Sequence, residues 1–192
     1  MRRQLVSLSK TQKVAGIASG LIAFCVPAFF AWDIYHHHLS QNIATWTMIM
    51  CLDFLGLTLA FKAGNKRPIL QIGWCGAAIL MESAILLNRA SWHWGWVETF
   101  SLICCFVAVL VWQIKDAKWG YWPYMAAMYI STIPQAVDFW HVPIPSTLYV
   151  WAWSVVGCAM AIIAAEKRNF ENTFVPWGAM LLNVGFCYLV LR

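Results

Sequence analysis

Residues 43–61 read IATWTMIMCLDFLGLTLAF. One charged side chain, Asp53, interrupts an otherwise uncharged run with no proline. An α-helix rises about 1.5 Å per residue, and a bilayer core about 30 Å thick is crossed by roughly 20 such residues. The run therefore predicts a membrane-spanning helix. A strand of a membrane barrel would alternate polar and apolar residues over about ten positions, and this stretch is continuously apolar.

Working outward, six further runs have the same character: Val14–Trp32, Ile69–Leu87, Trp96–Ile114, Trp119–Val137, Leu148–Ala165 and Phe174–Leu191. Charges and turn-forming residues separate them, at 33–40, 62–68, 88–93, 115–118, 138–145 and 166–172. The expected fold is all-α, a single integral membrane domain over 1–192 with seven transmembrane helices and short connections. The first run follows Arg2, Arg3, Lys10 and Lys13, as a signal peptide would. It is long, however, and no small-x-small cleavage site follows it, so it is expected to stay as the first helix. Composition agrees with this reading. Of 192 residues, 61% are hydrophobic and 11% charged, against about 25% charged in soluble domains. A soluble enzyme, a secreted disulfide scaffold and a disordered chain are excluded. The seven cysteines all fall inside the runs without a C-x-x-C pair, which suits small packing residues.

Basic residues set orientation in a membrane. Arg2, Arg3, Lys10, Lys13, Lys62, Lys66, Arg67, Lys115, Lys118, Lys167 and Arg168 fall on one side of a seven-span chain, and only Arg89 and Arg192 on the other. The expected location is the plasma (inner) membrane, with the N-terminus in the cytoplasm and the C-terminus outside. The net charge of +5 is then a topology signal and implies lipid rather than nucleic acid as the partner. Trp92, Trp94, Trp96, Trp119, Tyr121 and Trp122 cluster at span ends, as interfacial aromatics do.

An internal repeat is visible. Pro27 and Pro134 lie deep in the first and fifth runs. Trp46 and Trp153 follow them at equal distances, and the next runs end at Lys62–Arg67 and Lys167–Arg168. The third and seventh runs open with Trp74 and Trp177 among small residues. Two parallel three-helix bundles, 14–87 and 119–191, joined by a connector helix at 96–114, are expected. An odd connector is what two parallel halves need, because three spans reverse the chain direction and a fourth restores it. A proline inside a helix removes one backbone hydrogen bond and clashes with the preceding turn. Pro27 and Pro134 are therefore the expected hinges.

With Ile133-Pro134-Gln135 in the fifth run and this three-plus-one-plus-three layout, the chain resembles the PQ-loop superfamily, which includes SWEET-type sugar transporters and lysosomal amino-acid exporters. In the first half the corresponding proline is followed by Ala28. Asn183, near Gly185 in the seventh run, resembles the family's pocket-lining Asn. The bacterial Pnu-type vitamin transporters are similar to the same degree. The resemblance implies movement of a small metabolite by alternating access between the two bundles.

Two carboxyl groups lie inside runs, Asp53 and Glu82. Such groups cost about 2.5–3.5 kcal/mol on insertion scales and face a cavity or a partner. Either could carry a proton or bind a cation, and either could instead form an interhelical hydrogen bond. Other polar candidates for a central cavity are Thr47, Thr58, Ser83, Gln135, Ser154 and Asn183. Trp46, Trp74, Trp153 and Trp177 are candidate flat walls for a sugar or heteroaromatic ring. The expected substrate-binding set is Trp46, Asp53, Trp74, Glu82, Gln135, Trp153, Trp177 and Asn183.

The expected function is a small-solute transporter for a sugar, amino acid or vitamin-like molecule, with proton coupling open to it. No Walker, Ser-His-Asp or Gly-rich phosphate motif is legible, and the seventh run has no lysine for a retinal Schiff base. No cofactor and no catalytic residue are expected, and self-association is open to so small a membrane protein. Two alternatives come from other classes. His36, His37, His38, His93 and His141 share one predicted side with Asp33, Glu98 and Asp138, which would suit a membrane enzyme or a redox or metal-binding subunit. Abundant Trp and small residues would suit a structural subunit of a membrane complex.

Overall fold

The computed structural model describes residues 8–37, 41–166 and 169–192, with the side chains of His37 and Glu171 outside the description. Arg2, Arg3, His38, Lys167 and Arg168 thus lie outside the described residues. Eight α-helices carry the described chain: α1 Lys10–His37, α2 Ile43–Lys62, α3 Ile69–Leu87, α4 Trp96–Ile114, α5 Ala117–Ser131, α6 Ile133–His141, α7 Leu148–Ala164 and α8 Phe170–Leu191. One turn of 3-10 helix, Pro145–Thr147, precedes α7. Among the described residues there is no strand.

Six of these helices, α1 to α4, α7 and α8, are long and apolar enough to cross a membrane. Their outer faces stay apolar: Phe29, Leu110, Ile114 and Leu181 are all more than half exposed. Apolar surface on this scale belongs in a bilayer, and the chain reads as an integral membrane protein.

The expected fifth span, Trp119–Val137, is not one helix. It breaks into α5 of 15 residues and α6 of 9. Pro134 has no N–H to give to the carbonyl of Ile130, and its ring crowds that carbonyl. The residue before it is also disfavoured in helical geometry. The Ser131 and Thr132 hydroxyls cap the break, donating at 2.9 Å to the carbonyls of Met128 and Tyr129. Pro27 has the opposite outcome. It sits inside α1, which continues unbroken for 28 residues.

The helices form a bundle with a definite neighbour pattern. α3 lies between α1 and α2, while α8 lies between α7 and the α5–α6 pair. Across these groups α1 packs on α7, and α2 packs on α5; α4 lies against α5 and α2. Two glycines permit the closest approaches. A Cβ on Gly73 would stand 2.7 Å from the Gly20 carbonyl oxygen and 2.8 Å from the Ala23 Cβ, so α1 and α3 meet nearly backbone to backbone. A Cβ on Gly56 would occupy the place of the Tyr124 hydroxyl, which α5 lays on α2. Apolar side chains fill the rest. Phe30, Ile34, Met81, Ile85 and Val150 join α1, α3 and α7. Leu52, Leu59, Tyr121 and Tyr124 join α2 and α5.

α1 and α7 are tied at both ends. At one end Gln12 Nε2 donates to the Ala165 carbonyl at 3.0 Å. At the other the Tyr149 hydroxyl donates to Asp33 Oδ2 at 2.7 Å. The Gln12 end gathers basic residues: Lys13 and Arg67 share a surface recess there with Glu166, and Lys62 lies over the Trp112 ring at 5.9 Å.

Candidate functional site

At mid-depth the bundle leaves a cavity of about 150 Å³. A water needs about 10–15 Å³ on this scale, so the space suits roughly ten waters or a solute of about as many heavy atoms. Each wall is a helical stripe. α2 supplies Trp46, Ile49 and Asp53, spaced three and four residues apart. α3 supplies Trp74, Ala77, Ala78 and Met81, and α8 supplies Ala179, Leu182, Asn183 and Phe186. α1 adds Pro27 and Phe30, and α7 adds Val150, Trp151 and Ser154. Met128, Thr132 and Gln135 come from α5, the break and α6. Every helix except α4 contributes.

Of the expected site residues, the cavity brings together Trp46, Asp53, Trp74, Gln135 and Asn183, with Pro27 and Ser154 beside them. Three others lie elsewhere. Trp153 and Trp177 are 52% and 49% exposed, on the outward faces of α7 and α8. Trp153 follows Trp151 by two positions, about 200° around a helix, so when Trp151 faces inward Trp153 cannot. Glu82 sits one position past the cavity stripe of α3 and accepts the Thr47 hydroxyl of α2 at 2.7 Å. Its Oε2 is buried without a hydrogen-bond partner among the described residues. Pro134 marks the helix break next to the cavity rather than a bend in a continuous helix. Thr58 and Ser83 spend their hydroxyls on their own helices, at Phe54 and Ile79.

Sequence reading missed the aromatic wall of Phe30, Trp151 and Phe186. Trp151 stacks on Phe186 with ring centroids 4.3 Å apart, and Phe139 meets Trp151 edge-on at 5.9 Å. The stripe Ala179–Leu182–Asn183–Phe186 was a usable signal, since it shares a face with Asn183. The Trp46 ring is held by its indole N–H, which donates to Gln41 Oε1 at 2.8 Å.

Among the described residues Asp53 is the one charged residue on the cavity wall. It is 8% exposed. Among the described residues no hydrogen bond or ion pair reaches its carboxyl group; the one ion pair there joins Lys118 to Asp116.

The opposite end of the bundle is built differently. Glu98, in the first turn of α4, accepts from Thr45 Oγ1 at 2.6 Å, from the Gly95 amide at 2.9 Å and from Asn42 Nδ2 at 3.4 Å. Asn42 also bonds both backbone groups of His93, at 2.8 and 3.0 Å. His36 packs on the Trp32 ring at 3.9 Å, and His141 is exposed at the end of α6. Among the described residues no group of three or more His, Cys, Asp or Glu is placed to hold a metal ion.

No family model, no curated protein and no solved structure matches the chain.

Proposed function

We propose that this protein is a small-solute transporter of PQ-loop or SWEET-like plan, working by alternating access in a three-plus-one-plus-three arrangement. One observation carries the reading: the cavity is lined by all three helices of the first group and by α5 to α8, while α4 stays outside it. A connector between two bundles is expected to stand outside a site formed where the bundles meet.

The neighbour pattern supports the repeat. In each group the last helix lies between the other two. Across the groups, the first helix of each packs on the middle helix of the other, α1 on α7 and α5 on α2. A pseudo-twofold relation between two halves produces this exchange of neighbours. The α5–α6 pair starts beside the end of α4 and leads to α7, whose start packs beside Ile34 and Ile85. It thus acts as the seventh crossing, and broken helices in transporters characteristically line the substrate site.

In this reading the solute is a sugar, amino acid or vitamin-like molecule, and Asp53 couples its movement to that of a proton. Pro27 and the Pro134 break are where the bundles flex. The Asp33–Tyr149 and Gln12–Ala165 bonds are the closures at the two ends of α1 and α7. The basic end faces the cytoplasm, with the chain in the plasma (inner) membrane.

Uptake into proteoliposomes tests the proposal with labelled glucose, alanine and choline as probes. Saturable uptake of at least one is expected, and Ser154→Trp, which fills the cavity, is expected to abolish it. Uptake of all three at the rate of protein-free vesicles would refute the proposal. Accessibility of tags at each terminus checks orientation.

A further inference from the structure

Among the described residues the cavity's one carboxyl group and its aromatic rings narrow the solute, and the neutral polar atoms leave room for them. Thr132 Oγ1 donates its hydrogen to the Tyr129 carbonyl at 2.9 Å, and Ser154 Oγ donates to the Val150 carbonyl at 2.7 Å. Asn183 Nδ2 donates to the Ala179 carbonyl at 2.7 Å. Only the amide nitrogen of Asn183 can face a carbonyl this way, so its Oδ1 is left over. Thr132 and Ser154 have thus each spent their hydrogen and keep an oxygen that accepts, while Asn183 keeps Oδ1 and one N–H, the Gln135 amide carries donors and an acceptor, and the Trp151 indole N–H is buried without a partner among the described residues. Pro134, at the start of α6, has no amide hydrogen to offer.

Asp53 adds a carboxyl group that accepts and that no neighbour neutralises. Among the described residues no Lys, Arg, His or Glu lines the cavity. Five aromatic rings, those of Trp46, Trp74, Trp151, Phe30 and Phe186, share the rest of the wall with aliphatic side chains and Gln135. Aromatic faces carry negative potential and attract cations, most strongly where water is excluded. A lone carboxylate without a counter-ion is costly in such surroundings, and a partner that brings the opposite charge relieves the cost. An anion would meet the Asp53 carboxyl group, and the donors present, from Gln135, Asn183 and Trp151, are all uncharged.

We infer that the cavity selects a small organic cation, a protonated or alkylated amine, with Asp53 as counter-charge and the three tryptophans as walls. The inference rests on the transporter reading and specifies the solute class within it. The approximate size, ten heavy atoms, fits a simple amine or a quaternary ammonium compound.

Calorimetry on the purified full-length protein tests it with matched probes. Choline is compared with its uncharged isostere, in which a tert-butyl group replaces trimethylammonium, and benzylammonium is compared with benzyl alcohol. The cation of each pair is expected to bind about tenfold more tightly or better, roughly 1.4 kcal/mol. Asp53→Asn is expected to abolish the preference and Asp53→Glu, which keeps the charge, to retain it. Equal binding within both pairs, or a preference that survives Asp53→Asn, overturns the inference. Should Asp53→Asn fail to fold, Trp46→Leu gives the same test: it is expected to weaken the cations more than their uncharged partners, and equal weakening overturns the inference. Uptake into vesicles separates the two levels of failure. If an uncharged solute is carried and no cation is, the solute class falls and the transporter stands. If no probe is bound or carried, both fall.

Discussion

Asp53 and Glu98 are carboxyl groups of similar burial, 8% and 4% exposed, in opposite surroundings. Glu98 lies at a helix start, where unpaired amides and a positive end of the helix dipole favour a carboxylate. It receives three donors and pins the starts of α2 and α4 together. Asp53 lies in mid-helix, where its own backbone amides are already bonded, and no side chain among the described residues donates to it across the cavity wall. One acid has been given all its partners by the fold, and the other none. Glu82 stands between them, with one oxygen bonded to Thr47 and the other left over. Burial alone therefore does not tell whether the fold supplies an acid with partners; the inventory of donors does.

Substitutions can break or sharpen this contrast. The largest effect on stability is expected from Glu98→Ala, which strands the Gly95 amide and the Thr45 hydroxyl. A loss of about 2–3 kcal/mol is expected for removing a charged acceptor, read by thermal unfolding in detergent, with solute binding unchanged. Asp53→Asn is expected to do the reverse. Its unfolding temperature holds or rises, since an uncompensated charge leaves the interior, while affinity for the bound cation falls about tenfold. A clear drop in stability in this variant would place Asp53 with Glu98. Glu82→Gln keeps an acceptor for Thr47 and is expected to cost less than about 1 kcal/mol, without effect in the binding assay. The smallest effect is expected for Trp153→Leu, within about 0.5 kcal/mol of the parent. A large loss of binding there would mean that α7 presents the wrong face.

Six spans were legible because hydropathy and length are local properties of the chain. Asp53, Trp46, Trp74, Gln135 and Asn183 were legible as a group because polar and aromatic residues at mid-span depth are few. Trp153 and Trp177 misled for a geometric reason. They were matched to the first half by position along the chain, and position gives depth in the bundle but not direction around the helix. A two-residue offset, Trp151 against Trp153, exchanges the inner for the outer face. The role of Glu98 was hidden because its donors Asn42 and Thr45 come from a distant part of the chain. The break at Thr132 was foreshadowed by Pro134. The continuity of α1 through Pro27 was not, since proline in a span permits either outcome and the neighbours decide.

The two helix groups share a neighbour pattern but not a helix continuity. α1 is one continuous helix of 28 residues despite the amide missing at Pro27, and it is tied to α7 near both ends. Its counterpart is two short rods with a joint at Thr132, and α6 touches mainly α8. At the joint Thr132 is the link: its hydroxyl reaches back to Tyr129 of α5 and its carbonyl accepts from the Ala136 amide of α6 at 3.0 Å. The two groups therefore match in their neighbours and differ in their continuity, with one long helix on one side and a jointed pair on the other.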